Sequence, residues 1–195
     1  MKRTFFSLAL LLAVATLTAQ TKMTAREAAV KIADRILAST TYEFKNTKTG
    51  EIYKSVKKLP LDMDVKVACK YNNWHYTNGV TNMALMELGD KLGDKKYEKY
   101  VLKNMNFVFN EGNLDFFRKQ YDEAFKRDGW NAVRKLSWHM IFRGKRLDDN
   151  GPMGASLIEL QLKYPNDSFL GYINETAEHL NYGAVSYTHL RAHET

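Results

Sequence analysis

"WHYTNGVTNMALMELGDKLGDKKYEKYV", residues 74–101, is the stretch on which the fold turns. Val80, Ala84, Leu85, Leu88 and Leu92 recur at the spacing of one helix face, so a helix is expected from about Asn78 to Leu92. Gly93 sits where a left-handed residue would stop it. A second run, "DKKYEKYVLKNMNFVFNEG", follows at once, with Tyr97, Tyr100, Val101, Met105 and Val108 on one side. Two amphipathic helices with a short join make a helical hairpin.

Working outward, the same organisation repeats. "TAREAAVKIADRILAST" (24–40) places Ala29, Ile32, Ala33, Ile36 and Leu37 on one face, with Thr24 and Glu27 spaced as a capping box. "NLDFFRKQYDEAFKR" (113–127) carries Leu114, Phe117, Tyr121 and Phe125, and a short helix is expected from Trp130 to Met140. Beyond it, Pro152 suits a first helical turn, where its missing N–H costs nothing. Met153, Leu157, Leu160 and Tyr164 form that helix's inner face, and a last helix runs from Ser168 toward Tyr182. "ASLIELQLKYPNDSFLGYI" weakly echoes the opening hairpin. The expected class is all-α, built from stacked helical hairpins in a solenoid or a closed toroid. Between Thr41 and Asn73 the chain is less regular. "YEFKNTKTGEIYKS" alternates around a Thr-Gly turn and is read as a short hairpin.

Both ends read as foreign to this domain. Residues 1–20 have Lys2 and Arg3 before an apolar run, Phe5 to Ala15, and small residues near Ala19. That is the pattern of a secretory signal peptide rather than a membrane anchor. The protein is therefore expected to be periplasmic or secreted, with no membrane association after cleavage. "VSYTHLRAHET", 185–195, reverse-translates with permitted codons into a string resembling a transposase adaptor used in sequencing libraries. A domain over 21–184 is expected, with 185–195 a non-native tail without function.

The chain of 195 residues carries a formal charge of +7. Removing Lys2 and Arg3 with the leader, and Arg191 and Glu194 with the tail, leaves 26 basic against 21 acidic residues, or +5. The excess is spread along the chain, and no nucleic-acid arm is evident. The one cysteine, Cys69, cannot make an internal disulfide or a cysteine-rich zinc site. Its setting, "DVKVACKY", reads as a buried extended segment.

The opening block and "LSWHMIFRGKRLDDNGPMGASLIEL" (136–160) together resemble the unsaturated glucuronyl and rhamnogalacturonyl hydrolases of glycoside hydrolase families 88 and 105. The resemblance spans roughly Tyr71 to Tyr182. It implies an (α/α)6 barrel, of which this chain would be the N-terminal part. It also implies a substrate, an oligosaccharide ending in an unsaturated uronic acid, and no metal or organic cofactor. In that chemistry an aspartic acid protonates the C4=C5 vinyl ether, water adds at C5, and the hemiketal collapses. By resemblance Asp149 is the aspartate that binds substrate and supports the acid–base step, with Asp148 beside it. Trp74 and Tyr76 are candidates for sugar stacking, Asn78 for a hydroxyl contact, and His139 for reach into the pocket. The family's principal acid–base aspartate falls in a later block, so this chain is expected to be inactive alone.

Each assignment has a plainer competitor. "DDNG" also makes a good helix-capping turn. Trp74 and Tyr76 also suit packing at a helix start, and a histidine between Trp138 and Met140 suits a core. The competing function is a helical-hairpin protein that binds carbohydrate or a partner without catalysis.

Overall fold

The computed structural model describes residues 23–109, 112–143 and 147–192, with the backbone alone given at 147–149, 179–180 and 182–192. The chain divides into two compact units, Met1–Asp34 and Arg35–Thr195. Among the described residues there are six α-helices and one small sheet. The structure is mostly helical, consistent with the expected all-α class, with one small sheet of short strands.

Helix α1 covers Ala25–Ser39. Its capping box forms as expected: the Glu27 N–H donates to Thr24 Oγ1 (3.2 Å) and the Thr24 N–H to Glu27 Oε2 (2.8 Å). The irregular stretch then folds into β1 (Phe44–Asn46), β2 (Ile52–Tyr53) and β3 (Val65–Val67), in the antiparallel order β2-β1-β3. The expected hairpin is β1–β2, pairing Phe44 with Tyr53. Strand β3 falls within "DVKVACKY", the stretch read as extended, although three residues are too short for a period to show its pairing. Cys69, just past it, is buried.

Helices α2 (Tyr76–Leu92) and α3 (Lys96–Phe109) form the expected hairpin, joined at Gly93 in the left-handed conformation (φ 66°). The buried face of α3 is the one read from sequence: Tyr97, Tyr100, Val101, Met105 and Val108 all lie inside. That of α2 is not. Its buried residues are Asn78, Gly79, Asn82, Leu85, Met86 and Gly89, while Val80 is 54% exposed. The reason is the neighbour, α5 (Leu147–Lys163), which approaches too closely for a branched side chain. A Cβ on Gly79 would lie 2.5 Å from the Met153 nitrogen and 2.8 Å from Pro152 Cβ, and closer still to the Pro152 carbonyl carbon. Smallness, not apolarity, selects this face.

The two helices run parallel. Gly79 meets Pro152 and Met153 near their N-terminal ends, and Asp90 meets Lys163 at their C-terminal ends, a constant offset along both. Replacing Gly79 by Ala is expected to cost about 1–3 kcal/mol, the range for overpacking a close contact. Gly154→Ala, where an added Cβ meets nothing within 4 Å, should be neutral or mildly stabilising because Ala is the better helix former. Chemical denaturation of the two variants checks the contrast.

Helix α4 (Asn113–Val133) spans the two helices expected over 113–127 and from Trp130. The expected break survives as a kink, with non-helical backbone at Asp128 and Gly129. A 3-10 turn, His139–Phe142, leads to α5. Helix α5 begins at Leu147, earlier than expected, so Pro152 lies inside the helix rather than in its first turn. Helix α6 (Asp167–Ala192) passes beyond Tyr182 and through the expected domain boundary at 184. The expected signal peptide lies outside the described residues, as do the side chains of 185–195.

A continuous aromatic core ties the layers together. Phe44 of β1 packs on Phe107, Phe116 and Phe117, and Phe117 stacks on Trp138 at 5.2 Å. Trp138 contacts Trp74, which in turn meets Phe109 and Tyr172. The sheet is pinned to α4 by Gln120, whose amide donates to the carbonyls of Asp62 and Val65.

Candidate functional site

Both blocks that carry the family resemblance end up in one place. Trp74, just before α2, is 1% exposed, and its indole N–H donates to Asn150 Oδ1 at 3.0 Å. Asn150 is equally buried and donates onward to the Arg143 carbonyl at 3.0 Å. This bond, with the contact of Gly79 on Pro152 and Met153, fixes the N-terminal ends of α2 and α5 side by side.

The start of α2 is tightly built. The Asn78 amide donates to the carbonyls of Lys70 and Asn73 and to Asn73 Oδ1, clamping the preceding loop onto the helix. His75 is the N-cap, with extended backbone, and its Nδ1 accepts from the Thr77 N–H at 3.3 Å. Accepting there leaves Nδ1 without a hydrogen, so a neutral ring carries it on Nε2. Its ring packs on that of Tyr76 at 4.7 Å. Tyr76 is 46% exposed in the first turn of α2.

Asp148 and Asp149 lie in the first turn of α5 by backbone; their side chains are outside what is described. Two neighbouring helix N-termini, with their unpaired N–H groups and aligned peptide dipoles, favour negative charge at this rim, whether from the aspartates or a bound carboxylate.

The other expected residues fare unequally. Tyr76 remains on the surface, as a stacking residue must. Trp74 does not: its buried ring belongs to the aromatic core and offers no face to a sugar. Asn78 spends its amide hydrogens on the loop, so its role here is to hold the α2 start. Both corrections have one cause: a short loop rich in Asn and aromatics needs its own interior. His139 is partly buried, and its Nδ1 lies 2.7 Å from the Leu136 carbonyl oxygen. That contact requires the hydrogen on Nδ1 and orients Nε2 away from the 3-10 turn. Asn150 and His75 went unnoticed as candidates. The signal for Asn150 was in plain view, an amide directly after the paired aspartates; for His75 it was the His-x-Thr spacing of a cap.

At the far ends of α2 and α5 a second polar cluster forms. Glu98 of α3, its side chain 10% exposed, accepts from Lys163 Nζ at 2.7 Å and from the Tyr164 hydroxyl at 2.5 Å. Lys163 also lies 3.4 Å from Asp90. The Lys163 ammonium, and then the Tyr164 hydroxyl, hold the Glu98 carboxyl below its ordinary value of 4.5. The Glu98 carboxylate in turn raises the Lys163 ammonium above 10.5. A depressed carboxyl contributes stability that is complete above its unfolded value and declines as pH falls through the lower folded value. Stability should therefore fall below about pH 4.5 in part because this network is protonated, and Glu98→Gln should flatten that limb in urea melts recorded from pH 3 to 7. Wild-type and variant curves of equal steepness would discount the network.

No protein-family model matches the chain, and no curated protein sequence does either. Among the described residues no helix is long and apolar enough to cross a membrane.

Proposed function

We propose that this chain is the N-terminal part of an exported hydrolase of unsaturated uronyl oligosaccharides, with the helix-end rim of α2 and α5 forming one wall of its site. The observation that carries the reading is the junction of the two resembling blocks: Trp74 bonds Asn150, and Gly79 seats on Pro152 and Met153. Residues more than seventy positions apart thus build one rim from the first turns of two helices, α2 carrying Tyr76 and α5 carrying the backbone of Asp148 and Asp149. The parallel placement of α2 and α5 is of the kind found among the inner helices of an (α/α)6 barrel and supports that reading, with α4 then standing outside the simple inner–outer alternation.

The chemistry suits the rim. Hydration of the vinyl ether begins with proton delivery to C4 from a carboxylic acid. Water adds at C5 and gives up its proton to a carboxylate. The hemiketal then opens and expels the second sugar. Asp149 binds and orients the uronyl group and supports the principal acid–base aspartate, which lies further along the gene. Asp148 holds the turn, and Tyr76 gives the sugar ring a face. The test is the reading frame beyond codon 184 in genomic DNA. A frame that continues into another helical hairpin block with a Trp followed by an Asp supports the hydrolase. A stop codon just past Tyr182 removes it and leaves the helical-hairpin binding protein.

A further inference from the structure

Helix α4 and the 3-10 turn carry a row of aromatic rings, partly open to solvent, that reaches Arg143 at the edge of that rim. Phe125 and Trp130 are 49% and 47% exposed. The Tyr121 and Phe125 rings are parallel within 2° at 6.4 Å, Trp130 meets Phe125 edge-on at 6.2 Å, and Phe142 meets Tyr121 at 5.4 Å. A guanidinium lies over each end of the row: Arg143 is 4.3 Å from the Trp130 ring centre and Arg118 is 4.8 Å from that of Phe142. Among the described residues neither guanidinium has a carboxylate partner, whereas Lys126 nearby is paired with Glu123. Beside the stacked rings opens a cavity of about 300 Å3, lined by Tyr121, Asp122, Phe125 and Lys126.

We propose that this row is a binding surface for an acidic oligosaccharide, in which sugar rings lie on the exposed aromatic faces and uronate carboxylates pair with Arg143 and Arg118. Exposed aromatic faces are costly to leave in water and suit the C–H face of a sugar. A guanidinium above a ring uses its face there and keeps N–H groups at its edge for a carboxylate; at Arg143 one of them, Nη1, lies 3.8 Å from Met140 Sδ. The charge complementarity selects an acidic over a neutral chain: among the described residues the row sets two guanidiniums without a carboxylate partner against the single carboxylate of Asp122 in the cavity lining. The assignment stands apart from hydrolysis, since a saturated sugar has no vinyl ether to hydrate.

The test is titration of the intact chain with a saturated galacturonic acid trimer, followed by calorimetry and tryptophan fluorescence, with a neutral glucose trimer as control. The acidic trimer should bind, and the neutral one about tenfold more weakly or less, with the difference shrinking at high salt. Trp130→Ala and Arg143→Met should each weaken the acidic trimer about tenfold, and Arg143→Met should narrow the gap between trimers. Arg118→Gln, on an exposed side chain, reads the same surface should truncation of Trp130 unfold the chain. The proposal is overturned if the acidic trimer does not bind, if it binds the folded variants as well as wild type, or if the row proves to be covered by a second copy, seen as a dimer that Trp130→Ala disperses.

Discussion

Asp149→Asn should, on the proposed hydrolase reading and in a protein that carries the acid–base aspartate this reading requires, lose turnover by at least ~10²–10⁴-fold, the contribution of a positioned acid–base group, while its melt stays close to wild type. The amide keeps the volume of the carboxyl and part of its hydrogen bonding. It loses the charge that orients the acid and the attacking water. Asp148→Asn should behave oppositely. Its backbone lies in the first turn of α5, where a carboxylate steadies the unpaired N–H groups. Its loss should cost about 0.5–2 kcal/mol of stability and leave the rate nearly intact. Both are read by the fading ultraviolet absorbance of the double bond and by a thermal melt. If Asp148→Asn takes the activity and Asp149→Asn spares it, the two roles are exchanged. If both variants stay active, the paired aspartates only cap α5.

Trp74→Ala should be the most destabilising single change in the aromatic core. The indole is 1% exposed and lies against Phe109, Trp138 and Tyr172. Truncating a buried aromatic of this size costs about 3–5 kcal/mol. The change also strands Asn150 Oδ1, a buried acceptor, at about 1–3 kcal/mol more. Against a total stability of roughly 5–15 kcal/mol, this is a large share, and the unfolding midpoint should fall far below that of wild type. Trp74→Phe separates the two effects, because it keeps the ring contacts and loses only the bond to Asn150. A midpoint for Trp74→Ala within error of wild type would show that the α2–α5 junction does not depend on this residue.

That junction also shows how far the sequence could be read. The hairpin of α2 and α3, the capping box at Thr24 and the inner face of α3 follow from periodicity and caps, which are local. The inner face of α2 does not. Val80 obeys the apolar period but faces solvent, because the neighbour that decides the burial lies 73 residues away and demands glycine at position 79. The same holds at the site. Paired aspartates before a helix were visible, and the backbone places them in the first turn of α5. The burial of Trp74 was not visible, since an aromatic at a helix start reads alike whether it stacks on a sugar or on Phe109. Only the partner Asn150, far along the chain, distinguishes them. The α4 row was half seen: of Leu114, Phe117, Tyr121 and Phe125, which share helical spacing, Phe117 is buried and Tyr121 packs part-buried on the core, but Phe125 faces solvent, and Phe116 and Gln120 complete the buried face.

The most direct measurement is the time course of double-bond absorbance when the protein encoded by the uninterrupted reading frame is mixed with an unsaturated uronyl disaccharide. The account predicts an enzyme-dependent loss of absorbance with release of the second sugar in equal amount, abolished by Asp149→Asn. A folded protein that leaves the absorbance unchanged, or releases sugar while the double bond persists, would contradict it.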